Sequence, residues 1–468
     1  MDNKPQGPNK TGWWAIFIFS IFICLLTAGC SPGIANPEEI RNSSYDSLIE
    51  YLKDEDPNIR SQAVEALGEY DYAVVPLIEV LNDTDPDVRL MAARTLRSLL
   101  DVADEESMSS IQGLITRSGA IGNLVAALQD EDPEIRSQVA GALGNLKDSA
   151  IYDFTSRLEV DISAQGVDLL IAALQDENPA VRIQAAWLLG FTKNTRVIPP
   201  LTSALKDEDP NVRLEAVQAL GEMYTEGSVD PIISALTDED PNVRTRAARM
   251  LGWLGNSRAI DPLLAALSDE DVNVRFQAAR SLLGHWDIPE VNDRAIDTLL
   301  AFLQDEDAKI RIQALEELIN EHDARLIMPL IDVMNDKDAN VRNKAAQVLG
   351  YYYWGSIMGE FYTLKSEDLD LYEWKVDGLI AALQDEDPDV RSMAARVLGN
   401  STSPRAFDPL LAMLKDGDTF DRLSAVRALG YTNDRRAVEP LLAALKDEDL
   451  VFRGEAALSL IRLGDFGV

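Results

Sequence analysis

From Leu48 onward the apolar positions recur in two kinds of block. The first is short, of the form Leu263-Leu264-Ala265-Ala266-Leu267, and the second spaces its apolar residues as Val274, Ala278, Ala279 and Leu282. Both spacings put apolar residues on one side of a helix. Between them stands an acidic turn, Asp-Glu-Asp-Pro-x-Val-Arg in its fullest form. Its arginine occurs at Arg60, Arg89, Arg136, Arg182, Arg213, Arg244, Arg275, Arg311, Arg342, Arg391, Arg422 and Arg453, most often at a step of 31 residues. A fixed step of this size denotes stacked helix pairs rather than separate globular domains.

Proline placement supports the pairing. Pro57, Pro86, Pro133, Pro179, Pro210, Pro241 and Pro388 follow the acidic turn, and Pro76, Pro200, Pro231, Pro262, Pro329, Pro409 and Pro440 open the preceding block. Proline is tolerated at the first position of a helix and costs about 3 kcal/mol in its interior. Both sets are therefore expected at first helical positions. In the unit around Asp230, that residue is expected to cap the first helix and Asp240 the second, with Gly252 ending the second in a left-handed conformation. Phe191, Trp253, Tyr351 and Tyr431, each following a glycine, are expected to close helix C-termini by apolar contact.

These blocks, with Gln277-Ala278-Ala279-Arg280 following the turn, resemble the short HEAT-like repeat named after phycobilisome lyases. The resemblance spans nearly all of residues 45–468. It implies an all-α solenoid, a right-handed superhelix of about twelve helix pairs, roughly 100 Å or more along its path if pairs stack about 10 Å apart. For function it implies little, because the repeat serves bilin lyases, adaptors and a diiron hydroxylase alike.

The N-terminus has a different character. Lys4 and Lys10 precede an uncharged run from Trp13 to Ala28, which ends in Thr27-Ala28-Gly29-Cys30. A basic stretch followed by an apolar one is an export signal, and its end resembles a lipobox, which implies removal of residues 1–29 and lipid on Cys30. Thr27 departs from the usual leucine. Two other readings stand beside this one. Eighteen residues from Trp13 to Cys30 would span about 27 Å as an uncleaved helical anchor, or cleavage after Ala35 would release the chain. All three place the repeats outside the cytoplasm, behind a tether ending near residue 44.

Composition narrows the chemistry. With 43 basic and 79 acidic residues the net charge is −36, which disfavours nucleic acid and anionic lipid and favours a partner with a basic surface. Only two histidines, His285 and His322, and two cysteines occur. That excludes the paired His-Glu ligands of the hydroxylase and leaves no catalytic residues, no metal site and no cofactor to propose. Asp54, Asp56, Asn58 and Glu65 fall at calcium-loop spacing, but Ile59 replaces the required glycine. The acidic turns are expected to be structural, a ladder of Asp209, Arg213, Asp240, Arg244, Asp271 and Arg275 tying one repeat to the next.

Steps of 47, 46, 36 and 49 residues interrupt the period, placing insertions near 98–122, 146–166, 285–294 and 351–376. The last holds eight of the 31 aromatic residues within 24 positions. Tyr352, Tyr353, Trp354, Phe361, Tyr362, Tyr372 and Trp374 are the candidate partner-binding residues, since large rigid aromatics anchor interfaces; packing of an extra hairpin is the competing use. The functional expectation is a non-catalytic protein-binding scaffold on the extracytoplasmic side of a membrane. The alternative is a lyase-related enzyme, or an enzyme accessory, acting on a partner protein.

Overall fold

The structure is a computed structural model that describes residues 37–148, 163–283, 288–319, 321, 324–357, 376–401 and 403–465. Among these residues every regular element is a helix, and the chain is an all-α solenoid. It divides into two compact units, residues 1–228 and 229–468.

Within each unit the repeat is built in the same way. A short first helix, such as Ile260–Ala266, leads through the acidic turn into a longer second helix, such as Val272–Leu282. The turn aspartate opens the second helix: Asp56, Asp85, Asp209, Asp240 and Asp387 each have extended backbone and accept a hydrogen bond from the N–H two residues on. Proline follows each at the first helical position, where its missing N–H has no helical partner to lose.

Second helices stack on second helices: Pro86–Val102 on Pro133–Asp148 and Pro179–Gly190 on Pro210–Glu222 in the first unit, and Pro241–Leu254 on Val272–Leu282 and Pro388–Asn400 on Thr419–Leu429 in the second. The core positions explain why. A valine just before the marker arginine, two alanines after it and a leucine beyond are all buried, as in Val243, Ala247, Ala248 and Leu251. Alanines bring backbones close while the valine and leucine fill the space between layers.

The close approach also gives several glycines a role other than the expected one. Gly252 lies inside helix Pro241–Leu254, whose left-handed stop is Gly255 at φ 59°. A Cβ at Gly252 would stand 2.6 Å from the Cβ of Ser281 in the next second helix. Its lack of a side chain serves packing, and the left-handed turn comes three residues later. The equivalent turn residues Lys193, Tyr224 and Asn433 have φ of 48°, 48° and 53° without being glycine. No sequence signal marks them.

Two further expectations are corrected. First-helix prolines sit at the third helical position, as Pro262 does in Ile260–Ala266 and Pro440 in Val438–Ala444. A 3₁₀ turn precedes these helices, Ser257–Ala259 and Arg435–Ala437, and the third amide still lies within the unpaired first turn. Asp230 is not a cap, because its helix starts at Glu226 and carries Pro231 inside it.

The first insertion is itself helical, Glu105–Ser118, capped by Asp104 and ended by Gly119 at φ 69°. Residues 149–162, 284–287 and 358–375 of the other three lie outside the described residues.

Candidate functional site

The acidic turn is the recurrent polar assembly of the molecule, and its three acids do three different things. In the repeat of Arg244, the guanidinium Nη1 donates to the carbonyls of Asp238 and Glu239 at 2.9 and 3.2 Å, bracing its own turn. Nε and Nη2 donate to the two carboxylate oxygens of Asp269 in the next repeat, both at 2.8 Å. Asp269 also accepts the N–H of Asp271 at 2.8 Å. The third acid, Asp271, caps its own helix through Asn273 N–H. The middle acid, Glu270, is 90% exposed and 3.6 Å from the same arginine.

This two-pronged rung recurs as Arg60 to Asp83, Arg89 to Asp130, Arg182 to Asp207 and Arg342 to Asp385. Arg136 reaches Asp176 and Arg311 reaches Asp336 through single hydrogen bonds of 2.6 and 2.7 Å. Rungs close across 41, 40 and 43 residues where insertions intervene, so the repeats on either side of each insertion are tied as elsewhere.

The ladder residues are therefore placed as follows. Asp209, Asp240 and Asp271 are the capping acids, turned towards their own helices. Among the described rungs, the arginine goes instead to the acid two residues earlier, as in Asp207 and Asp269, except that Arg391 bonds Asp421 and the capping Asp418. A carboxylate at the cap is occupied by the amides of its helix N-terminus, whereas the earlier one faces the preceding repeat. Arg213 braces its turn through the carbonyls of Asp207 and Glu208. Arg275 braces its turn in the same way but has Phe302, not a carboxylate, beside it.

The electrostatics follow from this geometry. Burial pushes the Asp385 carboxyl up. The Arg342 hydrogen bond, the Asp387 N–H and the two nearby arginine charges outweigh burial and hold it below the usual carboxylate range. Asp83, Asp269 and Asp336 are lowered by the same balance. A carboxyl with a depressed folded pKa contributes stability above its unfolded value of about 3.9 and loses it as pH falls through the folded value. Asp385→Asn is thus expected to be less stable than the native chain at pH 7, with the difference shrinking as pH falls through the depressed folded value. Paired thermal melts across pH 2.5 to 7 check this; a pH-independent difference would show that charge is not what Asp385 contributes.

A second ladder, exposed and absent from the sequence reading, runs beside the first helices. Arg196 reaches Asp168 at 2.7 Å, Arg258 reaches Asp230 at 2.9 Å and Arg325 reaches Asp293 at 2.6 Å, and Arg405 bonds Asp377 in the same fashion. The available signal was an arginine in the middle of each 3₁₀ turn with an aspartate 28 residues before it, or 32 for Arg325 and Asp293. Exposed pairs of this kind contribute little individually.

Of the aromatic candidates, Tyr352, Tyr353 and Trp354 lie on helix Ala339–Ile357. The side-chain environments of these three, and Phe361, Tyr362, Tyr372 and Trp374 altogether, lie outside the described residues, as does Cys30. Several aromatics elsewhere are exposed: Tyr224 by 66%, Trp253 by 57% and Tyr72 by 54%, the last ringed by Tyr45 and Tyr70. Phe191 packs edge-on against Trp187 of its own helix, and Tyr431 lies beneath the Arg462 guanidinium. Trp253, still within its helix, does not close a C-terminus. Among the described residues no cluster of three or more His, Cys, Asp or Glu side chains is arranged to hold a metal ion, and no helix is long and apolar enough to cross a membrane.

Among solved structures, the fold is similar to that of Kap95p, known from a study of its binding to RanGDP. The TM-score is 0.53 at 14% identity over 92% of this chain and 61% of that one. Kap121p gives 0.48 at 16% identity, over 92% of this chain and 49% of its own, and an engineered protein gives 0.42 at 20% identity over 84% and 98%. The chain thus spans well under two thirds of the length of the two Kap proteins. No curated protein matches the sequence. The family model described as HEAT repeats matches residues 45–118, 76–164, 167–238, 229–305, 296–360, 369–424 and 410–466. With that model covering almost all of the chain from residue 45 onward, the protein belongs to the HEAT-repeat family.

Proposed function

We propose that this chain is a non-catalytic protein-binding scaffold, of the phycobilisome-lyase HEAT-like subtype, held on the extracytoplasmic side of a membrane by lipid on Cys30. The observation that carries the binding role is the division of labour in the turns. In five turns the residues flanking the middle glutamate are consumed internally while the glutamate is presented to solvent: Glu131, Glu177, Glu208, Glu270 and Glu386 are 76 to 90% exposed. Within each unit, exposed carboxylates held only by 3.4 to 3.8 Å contacts to the rung arginines suit a partner with a matching basic surface. Kap95p, whose fold is similar, binds RanGDP, and a protein-binding use of the repeat surface is proposed here as well. The tether rests on the Thr27-Ala28-Gly29-Cys30 sequence.

Crosslinking and capture from the native membrane fraction tests both parts. Replacing the five glutamates by glutamine is expected to abolish capture of a partner that the native chain retains at low salt, with circular dichroism unchanged. Capture that survives the replacement overturns the acidic row as the contact. Cys30→Ser is expected to move the chain to the soluble fraction and to prevent labelling by radioactive palmitate; membrane retention without label would point to an anchor.

A further inference from the structure

One rung of the ladder is open. Arg275 spends Nη1 on the carbonyls of Asp269 and Glu270 at 2.9 and 3.0 Å, as the other marker arginines do. The acid placed to receive its other two donors is Asp305, yet no ion pair joins them. The Asp305 carboxylate accepts the Asp307 N–H and stops there. Among the described residues the Nε and Nη2 edge of Arg275 has no acceptor. Arg275 lines a cleft of about 570 Å³ together with Arg294, Asp297, Thr298, Phe302 and Asp305.

The insertion at 285–294 does not by itself explain the gap, since longer insertions leave Arg89, Arg136 and Arg342 paired. The residue three before the receiving acid does. It is alanine at 127, 173, 204, 266 and 382 and valine at 80 and 333, and each of those rungs is closed. At Met413 the arginine changes partner, Arg391 turning to Asp421 at 2.8 Å. At Phe302 the ring is buried, its centroid 5.7 Å from the Arg275 guanidinium and 5.8 Å from the Phe276 ring. A phenyl ring in the place of a methyl group holds the two sides of the rung apart.

From this we infer that the cleft at Arg275 is a binding notch for a carboxylate carried on a partner's peptide segment, which completes the rung in trans. Each two-pronged rung shows what that guanidinium edge donates to, an aspartate carboxylate, in the geometry that makes such pairs strong and directional. Phe302 supplies an apolar wall beside it. Asp297, the other acid in the lining, is 3.5 Å from Arg325 and so is partly neutralised. With Arg294 in the same lining, the notch is a cationic position on a chain of net charge −36, so it would set the register of a basic partner by a single acidic residue. The inference rests on the scaffold reading only for the carrier being a protein segment.

The test uses the full chain and follows the Arg275 Nε–H resonance, assigned with Arg275→Lys. The probe is a capped peptide copying Ala204–Pro210, which carries the rung acid Asp207. The peptide is expected to move the Arg275 resonance towards the position of Arg244, whose rung is closed, while its Asp207→Asn form binds at least about tenfold more weakly. Phe302→Ala is expected to close the rung onto Asp305, giving Arg275 the shifted resonance without peptide and removing peptide binding. Arg275→Gln, which leaves Phe302 in place, is expected to lose peptide binding as well. A free-protein resonance already matching Arg244 would mean that Asp305 fills the rung, and the notch would not exist. An equal shift with acetate at the same concentration would overturn the peptide carrier. Partner capture and this titration read different contacts, so the scaffold reading and the notch can fail separately.

Discussion

Arg342→Ala is expected to destabilise the second unit by about 3–5 kcal/mol, the cost of removing one partner from a buried ion pair. The side chains of Arg342 and Asp385 are 7% and 12% exposed and joined by two hydrogen bonds of 2.8 Å, and the same guanidinium donates to the Asp336 carbonyl at 2.8 Å. Without it Asp385 keeps only the Asp387 N–H at 2.9 Å, and a half-satisfied carboxylate remains out of water. The rung also spans the largest insertion, joining helix Ala339–Ile357 to helix Pro388–Asn400, so its loss should loosen residues 376–400 first. Thermal melts and hydrogen exchange would measure this. Arg196→Ala, at an exposed pair of similar length, should cost no more than about 1 kcal/mol. Equal losses from the two variants would show that burial is not what gives the rungs their strength.

Gly399→Ala is expected to destabilise by about 1–3 kcal/mol, although alanine is the better helix former by roughly 0.5–1 kcal/mol. Gly399 lies within helix Pro388–Asn400, and a Cβ there would stand 2.5 Å from the Ala428 carbonyl oxygen and 2.7 Å from its Cα. Those are backbone atoms of the next second helix and can retreat only if the two helices separate. The clash therefore outweighs the propensity. Gly454, inside helix Leu450–Asp465 with open space around it, has no such neighbour, and Gly454→Ala should stabilise by about 0.5–1 kcal/mol. Opposite signs at two helical glycines in one denaturation series is the expected result. A gain at Gly399 would mean that the second helices are not packed this closely.

Much of the architecture could be read from residues alone because its causes are local. Proline after the acidic turn, an aspartate before it and helical spacing after it each act within one or two turns of chain, and the period of 31 repeats them until stacking follows. The first-helix prolines were misplaced by two residues because the preceding 3₁₀ turn, Ser257–Ala259 and its equivalents, has no strong signature of its own. Gly252 was read as a stop because a glycine near a helix end usually is one. Its actual constraint, Ser281, lies 29 residues away in sequence.

The candidate site divides along the same line. That the turn acids and arginines tie repeats together was visible in their spacing. Which acid receives the arginine was not, since Asp269 and Asp271 are both turn aspartates and differ only in what surrounds them once the next repeat is in place. The open rung at Arg275 was equally hidden. Phe302 is an unremarked apolar residue in the sequence and becomes informative only when the arginine it stands against is seen to lack a carboxylate. The sequence by itself determined the helix pairs and the aspartate caps of their second helices, because those depend on neighbours along the chain. The tertiary structure alone decided which carboxylates are spent inside, which face outward and where the ladder is left unfinished, because those depend on residues brought together from 23 to 43 positions apart.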